Sequence, residues 1–306
     1  MQSEPLLIAG TGAMACLFGA RLAPHTDVTL LGSWPEGLAA LGREGIRLES
    51  DGTSQTVRVR VTSAPSDCRG ARLVLVLVKS WQTERTAAQL AGCMAKDGVA
   101  LTLQNGLGNL EHLQAALGNE RAALGVTTVG ATLLGPAHVR LGGIGPTYLA
   151  QHPRLEPLVD LLQGAGFEVR LAEDLESLVW GKLAVNAALN PLTALQGMEN
   201  GGVIDHPSAR SVAKAAAHEV AAVATARGTR MPYADAGEEA LSVAGRTAGN
   251  RSSMYQDVLR GAPTEVEAIS GAVVREGERY GVPTPVNWTL WQMVRVLAAR
   301  RKEAGR

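Results

Sequence analysis

Net charge is the first thing this sequence lacks. Its 29 lysines and arginines are balanced by 29 aspartates and glutamates, so it carries no electrostatic footprint for nucleic acid. Long apolar runs are missing too, and none approaches the roughly 18 residues of a membrane-spanning helix. The opening Met1-Gln2-Ser3-Glu4 carries an acid and no basic segment. The apolar stretch after it is broken by a glycine turn, so no secretory signal is expected. Cysteine is scarce. Cys16, Cys68 and Cys93 are odd in number, widely spaced and set among apolar residues, which argues against a disulfide framework or a metal site. These absences predict a soluble, cytoplasmic protein without nucleic-acid or membrane partners.

Lysine is scarce in a more informative way. Positive charge is carried mostly by arginine, and lysine stands only at 79, 96, 182, 214 and 302. Arginine keeps its proton in a protein, whereas a lysine of lowered pKa exchanges one near neutral pH. Lys182 sits in the apolar stretch Trp180-Gly181-Lys182-Leu183-Ala184-Val185-Asn186-Ala187-Ala188-Leu189-Asn190-Pro191-Leu192-Thr193. A helix that is apolar all round is a buried one. Its polar members Lys182, Asn186 and Asn190 are spaced i, i+4, i+8 and share one face. Buried polar groups need partners or cost on the order of a few kcal/mol each. The stripe is either a structural hydrogen-bond network or a pocket for a small polar ligand. Pro191 lacks an N–H and disfavours helical geometry at Asn190, so a kink or an end is expected there.

With 306 residues, 46% of them hydrophobic, the chain can build one large or two ordinary domains. Residues 5–9 form a short apolar strand. Gly10-Thr11-Gly12-Ala13-Met14-Ala15 follows at once and opens a helix to about Leu22, and a second strand covers 27–31. This is the G-x-G-x-x-A form of the dinucleotide fingerprint between a strand and a helix. The first glycine makes the turn, and the second lets the backbone approach a pyrophosphate seated on the helix N-terminus. At the end of the second strand an acid would suit NAD and an arginine NADP; this chain has Gly32-Ser33-Trp34-Pro35-Glu36. Ser33 and Glu36 are spaced as a capping box, so Ser33 is a cap, a phosphate contact or both. With no acid there to repel a phosphate, the site leans to NADP.

Residues 45–62 alternate around Asp51-Gly52, a hairpin signal. The apolar runs 72–78 and 99–103 are expected buried parallel strands, which deliver Lys79 and Asn105 to the carboxyl edge where cofactors bind. Each is a loop residue or a ligand contact. Short strands and glycine turns fill 125–151, a helix lies near 154–164 and a last strand over 167–171. Beyond about residue 172 strand patterns stop, and helices are expected over roughly 174–190, 206–228, 235–248, 250–260, 264–280 and 284–302. The expected fold is α/β, with a doubly wound dinucleotide-binding domain over residues 1–172 and an all-helical substrate and catalytic domain over 173–306. In Thr264-Glu265-Val266-Glu267 a capping box would occupy Glu267 and leave Glu265 in the first turn without a capping duty. Glu265 is then a dipole-complementing acid or a carboxylate near a ligand or Lys182. Ser253 is an N-cap or a donor to a substrate carboxylate.

Taken together, these residues resemble the ketopantoate (2-dehydropantoate) reductase family of the 6-phosphogluconate-dehydrogenase-like superfamily. The matching pieces are Gly10-Thr11-Gly12-Ala13, Val78-Lys79-Ser80-Trp81-Gln82, Gln104-Asn105-Gly106-Leu107-Gly108, Lys182 to Asn186 through Asn190-Pro191-Leu192-Thr193-Ala194, and Ser252 to Asp257 with Thr264-Glu265. They come in the family's order and span nearly the whole chain. The resemblance implies a Rossmann-like sheet followed by a 6-phosphogluconate-dehydrogenase-like helical domain. It also implies NADPH-dependent reduction of ketopantoate to pantoate, a step toward pantothenate and coenzyme A. By the same resemblance Lys182 is the general acid and Glu265 its carboxylate partner. Asn105, Asn186, Asn190 and Ser253 contact substrate. Gly10, Thr11, Gly12, Ala13, Met14, Ser33, Lys79 and Asn105 face the cofactor. The family's strand-end arginine, which contacts the 2′-phosphate, falls near Ser33, and this leaves NAD open beside NADP.

The implied chemistry suits the residues. Hydride delivery to a ketone carbon builds charge on its oxygen, and a positioned ammonium stabilises that charge and then gives up a proton, worth about 10²–10⁴-fold. Burial beside Leu183 and Val185 is expected to lower the lysine pKa, and Glu265 to oppose this. Two alternatives stand beside this reading. One is the same fold and chemistry on another small 2-oxo or 3-oxo acid. The other is a nucleotide-sensing protein without turnover, which would have little need for an acid at a carbonyl. The expected partner is a small 2-oxo acid. A helical second domain is able to dimerise, so a homodimer is compatible with the sequence but not dictated by it.

Overall fold

Leu6, Leu7, Ile8 and Ala9 are all buried, which only a strand covered on both faces achieves. The computed structural model describes residues 4–304, with side chains described as far as residue 300. It divides into two compact units, residues 1–104 with 109–175 and residues 105–108 with 176–306.

The first unit runs β1 (Leu6–Ala9), α1 (Ala13–Leu22), β2 (Val28–Leu31), α2 (Pro35–Glu44), β3 (Ile46–Ser50), β4 (Thr53–Val57), β5 (Arg60–Thr62), β6 (Ala71–Val76), α3 (Thr83–Cys93) and β7 (Met94–Thr102). It continues with α4 (Asn109–Leu117), β8 (Ala122–Thr127), β9 (Gly130–Gly135), β10 (His138–Gly143), β11 (Thr147–Ala150), α5 (Glu156–Gly164) and β12 (Val169–Ala172). The main sheet has the order β12-β11-β8-β7-β6-β1-β2-β5. β1 pairs in parallel with β2 on one side and β6 on the other. The chain therefore winds outward in both directions from β1, and the carboxyl ends beside it form the ligand-binding edge of such a sheet. Strand residues alternate between two cores. Leu6, Ile8, Leu73 and Leu75 join the α1 side, where Phe18 and Leu17 lie. Leu7, Val74 and Val76 join Leu90 of α3 and Leu113 of α4.

A smaller sheet of order β4-β3-β10-β9 contributes Ile46, Leu48 and Val139 to the α1 side. Its β3–β4 hairpin turns at Asp51 (φ 51°) and Gly52 (φ 75°), two positive φ values as a two-residue turn of this kind requires.

The second unit comprises α6 (Leu175–Gln196), α7 (Gly202–Asp205), α8 (Pro207–Ala226), α9 (Ala236–Arg246), α10 (Ser253–Leu259), α11 (Ser270–Tyr280) and α12 (Pro285–Ala304). Trp180, Leu183, Ala187 and Leu189 of α6 share one core with Val220 of α8, Ala240 of α9, Met254 of α10, Val273 of α11 and Val294 of α12. Among the described residues, no helix is long and apolar enough to cross a membrane, and no group of His, Cys, Asp and Glu is arranged to hold a metal. The three cysteines are buried and free.

Three local expectations give way. The helix after β2 starts at Pro35 with Trp34 as its N-cap and no side-chain cap. Proline is preorganised for the first helical position, so the start slips by one residue and Ser33 is not a cap. α6 does not end at Asn190 but continues through Pro191 to Gln196. The flanking Leu189, Leu192 and Ala194 are buried, and that packing outweighs one missing N–H. α11 begins at Ser270 with Ile269 as N-cap, so Thr264 and Glu267 form no capping box. Instead the N–H groups of Ala268 and Ile269 both donate to Glu265 O, and the Ala268 carbonyl accepts from Leu107 N–H at 2.9 Å.

Candidate functional site

The first unit presents the glycine loop. Gly10 has φ 139°, and a Cβ there would lie 2.9 Å from the Leu77 carbonyl oxygen, so only glycine fits between β1 and the end of β6. Gly12 is the N-cap of α1 and has no side-chain partner, and the space where its Cβ would project is open. The first-turn N–H groups of a helix have no intrahelical partners. Together with the positive end of the dipole they make a seat for an anion, which can approach the backbone closely over Gly12. Ala13 and Met14 open α1 and pack against the core. Thr11 is buried, and its side chain lies against Gly32, where a Cβ would come within 2.4 Å of it. That contact joins the loop to the end of β2 and hence to Ser33. The residues of this edge suit a dinucleotide.

Lys79 follows the end of β6, half-buried, and its carbonyl accepts from Gln82 N–H at 2.8 Å. The ends of β6 and β7 are held by Gln104. Its amide nitrogen donates to Val78 O at 2.7 Å and to Thr83 Oγ1 at 2.8 Å, and its amide oxygen accepts from Thr102 Oγ1 at 2.8 Å. Thr83 in turn donates to Asn109 Oδ1 at 2.9 Å. Sequence reasoning gave Gln104 no role, since a lone amide before an Asn-Gly turn does not announce its partners.

The second unit presents the lysine. α6 places Lys182 and Asn186 half-buried, one turn apart, while Asn190 is only 6% exposed. Burial pushes the Lys182 ammonium from its ordinary 10.5 down to about 8, and the Glu265 carboxylate opposes that shift. Glu265 is itself buried, at 6% exposure. Asn105 donates its side-chain amide to Glu265 Oε2 at 3.5 Å. Gly106, with φ 83°, lets the segment lie on Ala268, whose carbonyl oxygen a Cβ would meet at 2.3 Å. Asn105, Glu265 and Lys182 are thus brought together in one unit from positions far apart in the chain.

Ser253 is the first residue of α10 and is half-buried, because the capping duty falls to Ser252, whose hydroxyl accepts from Tyr255 N–H at 3.1 Å. The Ser252 and Thr193 hydroxyls also share a hydrogen bond at 2.7 Å, tying α10 to the end of α6. Thr193 is bonded as well to the carbonyls of Leu189 at 2.8 Å and Asn190 at 3.2 Å. The stripe therefore has two parts: Lys182 and Asn186 retain exposure, and the Asn190 end enters a buried network. One further residue escaped sequence reasoning. Arg85, exposed on the first turn of α3, donates from Nη2 to Ser33 Oγ at 2.7 Å.

Comparison with known proteins follows the same division. The family model described as Ketopantoate reductase PanE/ApbA matches residues 6–154, and its C-terminal counterpart, Ketopantoate reductase PanE/ApbA C terminal, matches residues 174–298. A 2-dehydropantoate 2-reductase of Archaeoglobus fulgidus is 39% identical over 96% of this chain and 98% of its own. The crystal structure of a PanE/ApbA family ketopantoate reductase from Ralstonia eutropha has a TM-score of 0.90 at 31% identity, covering 97% of this chain and 99% of that one. A D-mandelate dehydrogenase bound to NADH and anilino(oxo)acetate has a TM-score of 0.91 at 24% identity, over 97% of this chain and 99% of its own, and shares the fold. The chain belongs to the ketopantoate reductase family, a family of oxidoreductases.

Proposed function

We propose that this protein reduces ketopantoate to pantoate at the expense of a nicotinamide dinucleotide, with NADPH preferred, as a step toward pantothenate and coenzyme A. The observation that carries the reading is a lysine whose proton is made available by burial, held beside a buried carboxylate. Relatives named 2-dehydropantoate 2-reductase across nearly the full chain support the substrate. The bound nicotinamide supplies hydride to the C2 ketone. Lys182 donates to the carbonyl oxygen, stabilises the charge that develops there and transfers its proton. Glu265 keeps the ammonium protonated more than burial alone would allow. Asn105 holds Glu265 in place and offers an uncharged amide to ligands. Asn186 presents an amide to the substrate's hydroxyl or carbonyl oxygen, and Ser253, free of capping, donates to its carboxylate. Asn190 completes the polar face from its more enclosed position. Gly10, Thr11, Gly12, Ala13 and Met14 seat the pyrophosphate, and Lys79 faces the same cofactor.

The test is a panel of small 2-oxo and 3-oxo acids assayed for nicotinamide oxidation at equal concentration. Ketopantoate is expected to give the highest kcat/KM. Another acid leading by an order of magnitude would replace the substrate while keeping the chemistry, and turnover of none despite tight nucleotide binding would point to a sensor.

A further inference from the structure

We infer that the Arg85 guanidinium and the Ser33 hydroxyl together form the subsite for a phosphate on the cofactor ribose, and so set a preference for NADPH over NADH. The inference rests on the dinucleotide reading above and names the groups that choose between its two forms. In dinucleotide folds this choice is made just beyond the second strand, where an arginine accommodates the 2′-phosphate. Here that place holds Ser33, a residue with no charge. The charge is delivered instead from the helix that follows β6. Since β1 lies between β2 and β6 in the sheet, the Arg85–Ser33 bond spans the edge onto which the Gly10–Gly12 loop opens. Thr11 lies against Gly32, next to Ser33, so pyrophosphate seat and proposed subsite adjoin.

The bonding state of the pair suits an incoming anion. Arg85 donates to Ser33 Oγ at 2.7 Å, which leaves the serine hydrogen to donate elsewhere and leaves further guanidinium N–H groups unused. Among the described residues Arg85 has this one hydrogen-bonded partner and no carboxylate partner, although Glu84 is its neighbour in sequence. An arginine held by a neutral hydroxyl keeps its full charge for a ligand. A guanidinium and a hydroxyl that share a hydrogen bond also present donors converging on one point, the arrangement that favours a phosphate over a ribose hydroxyl. Ser33 in this role orients the guanidinium as well as touching the phosphate.

The experiment is equilibrium titration of NADP⁺ and NAD⁺, by calorimetry, into the full-length protein and its Arg85→Ala, Arg85→Lys and Ser33→Ala variants. Both residues are exposed, so the variants are expected to fold. The unaltered protein should bind NADP⁺ more tightly than NAD⁺. Arg85→Ala should lose roughly tenfold or more in NADP⁺ affinity, the range of a charged hydrogen bond, with little change for NAD⁺. Arg85→Lys should retain part of the preference, Ser33→Ala should weaken it less than Arg85→Ala, and added salt should diminish it because the pair is exposed. A preference that survives intact in Arg85→Ala would overturn the inference and leave the dinucleotide reading standing. Equal affinity of the unaltered protein for both nucleotides would overturn the inference together with the NADPH assignment, and binding of neither would remove the dinucleotide reading beneath it.

Discussion

The Asn105 amide donates to Glu265 Oε2 at 3.5 Å, across 160 positions of sequence. Asn105 lies within the loop between β7 and α4, and Glu265 in a turn ahead of α11. Neither element explains the other until the Leu107–Ala268 backbone bond at 2.9 Å is included. That bond anchors the loop on the turn, and the anchored loop presents an amide to the carboxylate that acts on Lys182.

The coupling between Glu265 and Lys182 has a sign that pH profiles read. In the proposed reaction the ammonium is the acid, so kcat/KM should be level below about 8 and fall about tenfold per pH unit above it. The Glu265 charge raises the lysine pKa, so Glu265→Gln should move the falling limb to lower pH. A limb that stays in place, or moves upward, contradicts the electrostatic role. The same shift bears on stability: between about 8 and 10.5 the folded chain has released a proton that the unfolded chain still binds. This group's contribution to stability therefore rises with pH through that window.

Gly106 makes a separate prediction. Its φ is 83°, and a Cβ would lie 2.3 Å from the Ala268 carbonyl oxygen. Gly106→Ala should cost about 1–3 kcal/mol in strain, or else lift the loop from the turn. In either case the placement of Asn105 against Glu265 is disturbed. Thermal unfolding should come earlier and kcat should fall, whereas nucleotide affinity, which the proposed function assigns to the Gly10–Met14 loop, should change little. Unaltered Tm and kcat would show that the close approach is not needed.

Gln104 ties three backbone and side-chain groups at the ends of β6 and β7. Gln104→Leu keeps its size and removes every one of these bonds, leaving Val78 O and Thr83 Oγ1 without their donor. The expected loss is about 1–3 kcal/mol, read as a lower Tm, with weaker nucleotide binding because Lys79 follows Val78. Nucleotide affinity equal to that of the unaltered protein would confine Gln104 to a stabilising role.

The sequence made some parts of this molecule legible and hid others for physical reasons. The glycine turn between β1 and α1 was readable because Gly10 and Gly12 follow an apolar strand and open a helix. The buried strands β6 and β7 were readable as apolar runs that end in polar residues, whereas the order of the eight strands was not. Local rules failed where distant packing competes with them. Pro191 does not end α6, because the buried residues on either side hold the helix. Thr264 and Glu267 have the spacing of a capping box, but a turn in which the Ala268 and Ile269 N–H groups both donate to Glu265 O delays the helix to Ser270. Ser33 and Glu36 have the same spacing, and Pro35 moves the helix start past Ser33. Arg85 was invisible because nothing in its own helix requires an arginine, and its partner lies 52 positions away. Local spacing finds caps and turns. It does not find groups that meet only when a sheet brings its edges together.

The general-acid role proposed for Lys182 is tested most directly by one measurement: the initial rate of NADPH oxidation with ketopantoate, for the unaltered protein and Lys182→Ala side by side. Nucleotide affinity is checked on the same samples. Removing the acid should lower kcat by about 10²–10⁴-fold, with nucleotide affinity preserved because the glycine loop is untouched. Near-normal turnover in Lys182→Ala would contradict the assignment of the general acid and send the search to the remaining polar groups around Glu265.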